Sequence, residues 1–303
     1  MAGAEMIDNV VHAAIVMTTP VLLAAIGGLV NRVGGIVNIG LDSMMLAGAL
    51  LGLIIASSTG SWGAALVMAA LAGGVLGLLM SFAITRLDAN EIIVGLGFNI
   101  AVAGLVRFFL KSAYGSSGTL NLPDVARLPR IDIPVLADIP ILGAVLSGHD
   151  PVTWAAWLMV PLTAWFLART RAGLRLRAAG AAPQAVRALG LSPLAIRDAS
   201  TVFAGLMAGL AGVYLSIGVV GIFNEGITAG RGFIALAAFY FGRNRPWQTA
   251  LGALLFGFFD AFQIRLQGRG VPAELVQILP YAMVIVVLTL MALAMRRARA
   301  RRA

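Results

Sequence analysis

Long apolar runs, interrupted by short polar or glycine-rich breaks, dominate the chain. A bilayer-spanning helix needs about 20 mostly apolar residues. On that criterion the sequence predicts nine segments: 10–30, 36–56, 62–85, 91–111, 151–169, 198–219, 229–242, 248–264 and 274–295. The seventh is short and has glycines at both ends, which predicts a broken or re-entrant helix. The run 31–40, Asn-Arg-Val-Gly-Gly-Ile-Val-Asn-Ile-Gly, is also poor helix. Irregular backbone at membrane depth persists only where protein or a water-filled cavity satisfies its polar groups. The predicted fold class is therefore all-α: a single polytopic transmembrane domain with broken helices.

Composition agrees with that pattern. The 303 residues are 60% hydrophobic and 12% charged, against about 25% charged in soluble domains, and the mean hydropathy is +0.93. Too few charges exist to cover a water-facing surface, which argues against a soluble enzyme or a disordered chain. The net charge of +9 would suggest nucleic acid in a soluble protein. Here it comes from arginines spread thinly between apolar runs, with Lys111 the single lysine, and reads first as a topology signal. With the C-terminal tail 296–303 on the cytoplasmic side, fifteen of the 22 basic residues fall inside, among them Arg32, Arg86, Arg243, Arg245 and a group at 169–197. The positive-inside rule thus favours an outside N-terminus. The first basic residue is Arg32, so the N-terminus lacks the basic start of a cleavable signal peptide. The 112–150 loop, with Pro123, Pro129, Pro134, Pro140 and four aspartates, becomes an external elaboration rather than a domain. Segment 151–169 links two halves, 10–111 and 198–295.

Those halves carry a faint repeat. Residues 37–52 and 227–242 align without a gap at Gly40/Gly230, Leu46/Leu236, Ala47/Ala237 and Gly52/Gly242, and Trp62-x-x-Ala-Leu is matched by Trp247-x-x-Ala-Leu. The paired segments cross in opposite directions in this topology. Inverted repeats of this kind place a transport pathway at their interface, built from interrupted helices.

Ionisable groups are costly inside a membrane, about 2.5–3.5 kcal/mol each on insertion scales. Asp42, Glu91, Arg107, Glu225, Arg231 and Asp260, with Asn38, Asn90 and Asn99, are the polar residues on or beside the predicted spans. Asn38, Asp42, Asn99, Glu225, Thr228 and Arg231 are the candidate pathway residues. Glu225, Thr228 and Arg231 share a face if that stretch is helical. The alternative is a Glu225–Arg231 pair at a segment end. Glu91 reads as a first-turn helix-dipole residue, and Asn99, four residues after Gly95, as an interhelical hydrogen-bonding group. So few charges disfavour charged-ring ion channels and carboxylate proton relays and favour a neutral or weakly polar solute.

Catalytic and metal chemistry finds little support. There is no cysteine, the only histidines are His12 and His149, and no metal-binding spacing occurs. Gly115-Ser116-Ser117-Gly118 matches an intramembrane serine-protease motif but lies in a predicted loop with no histidine on a later span. Lys111 follows leucine, so the chain has no Gly-Lys-Ser/Thr phosphate loop. In the 170–197 loop, Pro183 and Gly190 bracket a short helix as its first-turn and stop residues, and Val186 and Leu189 form a small apolar face. Such a helix either lies on lipid phosphates or docks into a groove on a cytosolic partner.

Four stretches together resemble a known family. Val33-Gly-Gly-Ile-Val-Asn38-Ile-Gly40-Leu-Asp42-Ser-Met-Met-Leu-Ala-Gly48-Ala49 is similar to the signature of bacterial ABC-importer permeases for simple sugars, nucleosides and branched-chain amino acids. The nucleoside and simple-sugar branch is the closer match. Ala89-Asn90-Glu91-Ile-Ile-Val-Gly95-Leu96, Gly180-Ala-Ala-Pro183-Gln-Ala185-Val186-Arg187-Ala-Leu189-Gly190 and Glu225-Gly-Ile-Thr228-Ala-Gly-Arg231-Gly-Phe-Ile-Ala-Leu-Ala237 resemble three further stretches of that branch, in order. Asp42-Ser43 stands where the branch has Glu-Gly, and Ala181-Ala182 replaces the usual residues before Pro183. The resemblance implies a multi-pass permease subunit of the bacterial inner membrane. Its partners would be a second permease subunit, a cytosolic ABC ATPase that binds the ATP and Mg, and an external solute-binding protein. It implies no cofactor, no metal and no enzymatic activity in this chain. Gly180, Pro183, Ala185, Val186, Arg187, Leu189 and Gly190 would form the ATPase-coupling segment. The implied solute is a nucleoside or simple sugar. The alternatives are a branched-chain amino acid or other small polar solute, or ion-gradient secondary transport.

Overall fold

The structure, a computed structural model, describes residues 2–116, 118–131 and 147–266, with 282, 286 and 289. All but those three residues of the predicted ninth segment (274–295), the basic tail and much of the external loop lie outside the described residues. Ten helices fall within them: α1 (Ala2–Val33), α2 (Leu41–Thr59), α3 (Trp62–Arg86), α4 (Glu91–Tyr114), α5 (Pro151–Arg169), α6 (Arg171–Ala181), α7 (Pro183–Ala188), α8 (Pro193–Val213), α9 (Arg231–Phe241) and α10 (Pro246–Leu266). A π-helical turn, Tyr214–Val220, prolongs α8. Two short strands, β1 (Thr119–Leu120) and β2 (Phe223–Asn224), pair antiparallel. Six of the helices, α1 to α5 and α8 with its π turn, are long and apolar enough to cross a membrane.

Most predicted spans match these helices within a few residues, because the apolar runs end at strong local stops. Asn90, Asp150 and Ser192 each accept hydrogen bonds from the first-turn N–H groups of α4, α5 and α8. The second predicted segment begins too early. Helix α1 runs on through Val33, residues 36–39 adopt no regular structure, and α2 starts only at Leu41. Gly35 sits there at φ 94°, a left-handed conformation that glycine adopts without steric cost.

Helix α8 is the packing centre, touching α1, α2 and α3. Its small residues let other backbones approach. A methyl group on Gly205 would fall 2.1 Å from the Gly73 carbonyl oxygen, one on Gly209 2.1 Å from that of Ala69, and one on Gly212 1.8 Å from that of Met45. Between membrane helices, where lipid is as apolar as leucine, such close backbone packing is the main source of association. Polar ties reinforce it. Asp198 of α8 accepts from Ser81 (2.6 Å), Thr85 (2.9 Å) and Arg86 (2.7 Å) of α3.

The contact pattern repeats on exchange of the halves. Helix α3 packs on α8 as α10 packs on α1, α2 on α8 as α9 on α1, and α2 on α3 as α9 on α10. Gly27 meets Ala204, and Asn31 bonds Thr201, so the counterparts α1 and α8 run in opposite directions. The faint sequence repeat is thus matched by an inverted arrangement of packed helices.

Candidate functional site

The counterparts α2 and α9 both begin at a glycine, Gly40 and Gly230, and neither has a side-chain cap of its own. A helix start leaves N–H groups unpaired, which is costly away from water. Both starts are capped from other helices instead. The Ser43 N–H of α2 donates to Asn99 Oδ1 of α4 at 3.0 Å. The Gly232 N–H of α9 donates to Asp42 Oδ1 of α2 at 3.1 Å, and the Thr228 hydroxyl donates to Asp42 Oδ2 at 3.0 Å. Asp42 and Gly232 are equivalent positions in the repeat, so the two halves touch there. The approach is close: a methyl on Gly232 would lie 2.4 Å from the Asp42 backbone nitrogen.

Helix α4 also sustains the irregular stretch before α2. Glu91 accepts from the Val37 N–H at 2.9 Å, and Asn99 Nδ2 donates to the Ile39 carbonyl at 3.1 Å. Gly95 lies against Ile39 and Gly40. Asn99 therefore makes the interhelical hydrogen bonds expected of it. Glu91 does more than answer a helix dipole, since it binds the backbone of the break. Asn38 is fully buried and its amide donates to Met44 Sδ at 3.6 Å.

The other predicted pathway residues separate. Residues 225–230 form turns rather than a helix, so Glu225, Thr228 and Arg231 share no helical face. Nor do Glu225 and Arg231 pair. Glu225 binds Arg107 of α4, beside the β1–β2 pair, and its N–H donates to the Gly118 carbonyl. Arg231 binds Asp260 of α10 at 2.7 Å, with both side chains mostly buried. Of the protease-like motif, Gly115 ends α4 and Ser116 donates to the Thr119 carbonyl. Ser117 lies outside the described residues.

The 170–197 stretch folds as α6 and α7. Pro183 occupies the first turn of α7 and Gly190 follows it at φ 74°. Val186 is buried, whereas Leu189 is 78% exposed, so the two do not form one apolar face. Ala185 and Arg187 are exposed as well. The loop reaches the α1–α2 break directly. A methyl on Gly180 would sit 2.1 Å from the Val33 carbonyl oxygen. Arg197 Nε donates to the Gly34 carbonyl at 3.2 Å. Ser200 and Thr201 both donate to Asn31 Oδ1. The contacts of Asn31 and Arg197 are not apparent from spacing, because their partners lie more than 160 residues away. His12 and His149, also far apart in sequence, stack at 4.5 Å.

Helices of membrane-spanning length, an inverted repeat and a short helix, α9, whose start meets that of α2 where the halves touch are the features of a multi-pass membrane protein of transporter type. The chain matches the family described as "Branched-chain amino acid transport system / permease component" over residues 10–288 and belongs to it. It is similar to the nucleoside ABC transporter permease protein NupC of Lactococcus lactis subsp. cremoris, 31% identical, over 91% of this chain and 90% of that protein. It is also similar to the guanosine ABC transporter permease protein NupQ of Bacillus subtilis, 31% identical over 86% and 83% of the two chains. The glucose ABC transporter permease protein TsgB13 of Haloferax volcanii is 27% identical over 91% and 75%. No solved structure matches the chain.

Proposed function

We propose that the chain forms half of the membrane pathway of an ATP-driven importer for a nucleoside or simple sugar and works by alternating access. The relatives named for nucleosides, guanosine and glucose support the solute class. A cytosolic ATPase supplies the energy and binds the ATP and Mg. A second permease subunit completes the pathway, and an external binding protein delivers solute. The end of the bundle carrying α6, α7, Arg32, Arg86 and Arg245 faces the cytoplasm, in keeping with the positive-inside rule.

The observation that carries this reading is a continuous chain of contacts. The exposed α7 is joined through α6 and Gly180 to the α1–α2 break. That break leads into the N-terminus of α2, whose Asp42 holds the N-terminus of α9. Movement of α7 on its ATPase would shift the break and open or close the Asp42–Thr228–Gly232 contact, where the halves meet. The groups that would be freed there are the Asp42 carboxylate, the Thr228 hydroxyl and the Gly232 N–H, all able to hydrogen-bond a hydroxyl-bearing solute. Co-purification of the chain with an ATPase subunit, followed by Arg187→Glu, tests the coupling. The variant should insert normally and lose most solute-stimulated ATP hydrolysis. Unchanged stimulation would remove α7 from the coupling role.

A further inference from the structure

Three arginines from three separate stretches line one cleft of about 770 Å³: Arg32 from the last turn of α1, Arg177 from α6 and Arg245 from the α9–α10 turn. No acidic residue lines it. Arg32 is held in place, its guanidinium 3.8 Å over the Tyr240 ring and its Nη1 3.5 Å from the Phe239 carbonyl. Arg177 and Arg245 have no ion-pair partner among the described residues. The turn that delivers Arg245 holds Asn244 at φ 64°, which asparagine tolerates, and Arg243 at φ 48°, which costs a long side chain energy. Positive-inside topology asks only that basic residues lie in cytoplasmic loops. It does not ask three of them to converge from distant stretches, nor one of their turns to be strained.

We infer that this cleft binds the phosphate of an anionic phospholipid headgroup. Guanidinium groups present planar N–H pairs that match phosphate oxygens, and basic pockets between membrane helices suit such headgroups. The remaining lining favours a lipid over a free phosphate. Aliphatic Ala164 and Leu167 of α5 form part of the wall, and Trp247 lines the cleft while remaining 60% exposed. An exposed tryptophan beside a basic cluster is the arrangement found at the level of lipid headgroups.

The test is native mass spectrometry of the full chain in detergent, with phosphatidylglycerol, phosphatidylcholine or inorganic phosphate added. The wild-type chain should retain phosphatidylglycerol and bind phosphatidylcholine far less. The pair Arg177→Gln and Arg245→Gln should weaken phosphatidylglycerol retention by about tenfold or more at unchanged melting temperature. Arg177→Lys with Arg245→Lys, which keeps the charge and loses the fork, should give an intermediate loss and covers the case in which the first pair folds poorly. Equal loss from Arg171→Gln with Arg187→Gln, outside the cleft, would overturn the inference in favour of general charge attraction. Equal retention of the two lipids would overturn it, as would full retention in the Gln pair. Displacement of phosphatidylglycerol by millimolar inorganic phosphate would overturn the lipid as the source.

Discussion

Asn99 and Asp42 each replace a cap that a glycine cannot supply. Asn99 serves two backbone groups at once, the Ile39 carbonyl and the Ser43 N–H. Asn99→Ala leaves both without a partner in a region poor in water, at about 1–3 kcal/mol for each group. We expect a clear fall in the detergent melting temperature. Asn99→Asp keeps the acceptor for Ser43 but turns a carboxylate oxygen toward the Ile39 carbonyl, so it should lose at least as much. Gly232→Ala is expected to be more severe, because the added methyl meets Asp42 backbone rather than a movable side-chain end. Gly97→Ala in α4 is its control. Nothing lies within 4 Å of that position, so alanine should be neutral or slightly stabilising. Equal effects from the two glycines would mean that the α2–α9 contact is not close-packed. Polar residues inside apolar runs stand out in a sequence, so Asn38, Asp42, Asn99 and Thr228 were readable as candidates. Their partners were not. Arg107 and Glu225 are separated by 118 positions, and nothing in either segment's spacing points to the other.

Helix ends were readable to the extent that their stop signals are local. Gly230 and Gly242 bracket α9, and its 11 residues span about 16 Å at 1.5 Å per residue, half the thickness of a bilayer core. This is the broken helix that the flanking glycines predicted. The start of α2 is less legible, because Ile36, Val37 and Ile39 are as apolar as a span. Contacts from Glu91, Asn99 and Arg197, which lie far along the chain, help to satisfy the irregular backbone there. Likewise, the spacing of Val186 and Leu189 suits one face of a continuous helix, but α7 ends at Ala188 and Leu189 turns outward. The α3–α8 tie gives a prediction at this scale. Asp198→Ala strips an acceptor from Ser81, Thr85 and Arg86, and we expect it to destabilise the bundle by about 2 kcal/mol. Thermal unfolding of the purified chain measures this. An unchanged transition would assign the α3–α8 contact to glycine packing alone.

Over the whole molecule, an excess of arginine and a scarcity of other charge arranged themselves in a simple way. Arg32, Arg177 and Arg245 meet at one end of the bundle, beside the exposed α7. At the other end, β1 pairs with β2 and Ser57 donates to the Pro123 carbonyl. The near-absence of lysine leaves the chain without a phosphate-binding loop, so the proposed transport cycle draws its energy from a separate subunit. The direct test is reconstitution in liposomes with and without the co-purifying ATPase, following uptake of a radiolabelled nucleoside or sugar supplied on its binding protein. Uptake that requires both ATP and the ATPase subunit, and collapses in Asp42→Ala, is the predicted result. Uptake by this chain alone, driven by an ion gradient without ATP, would contradict it.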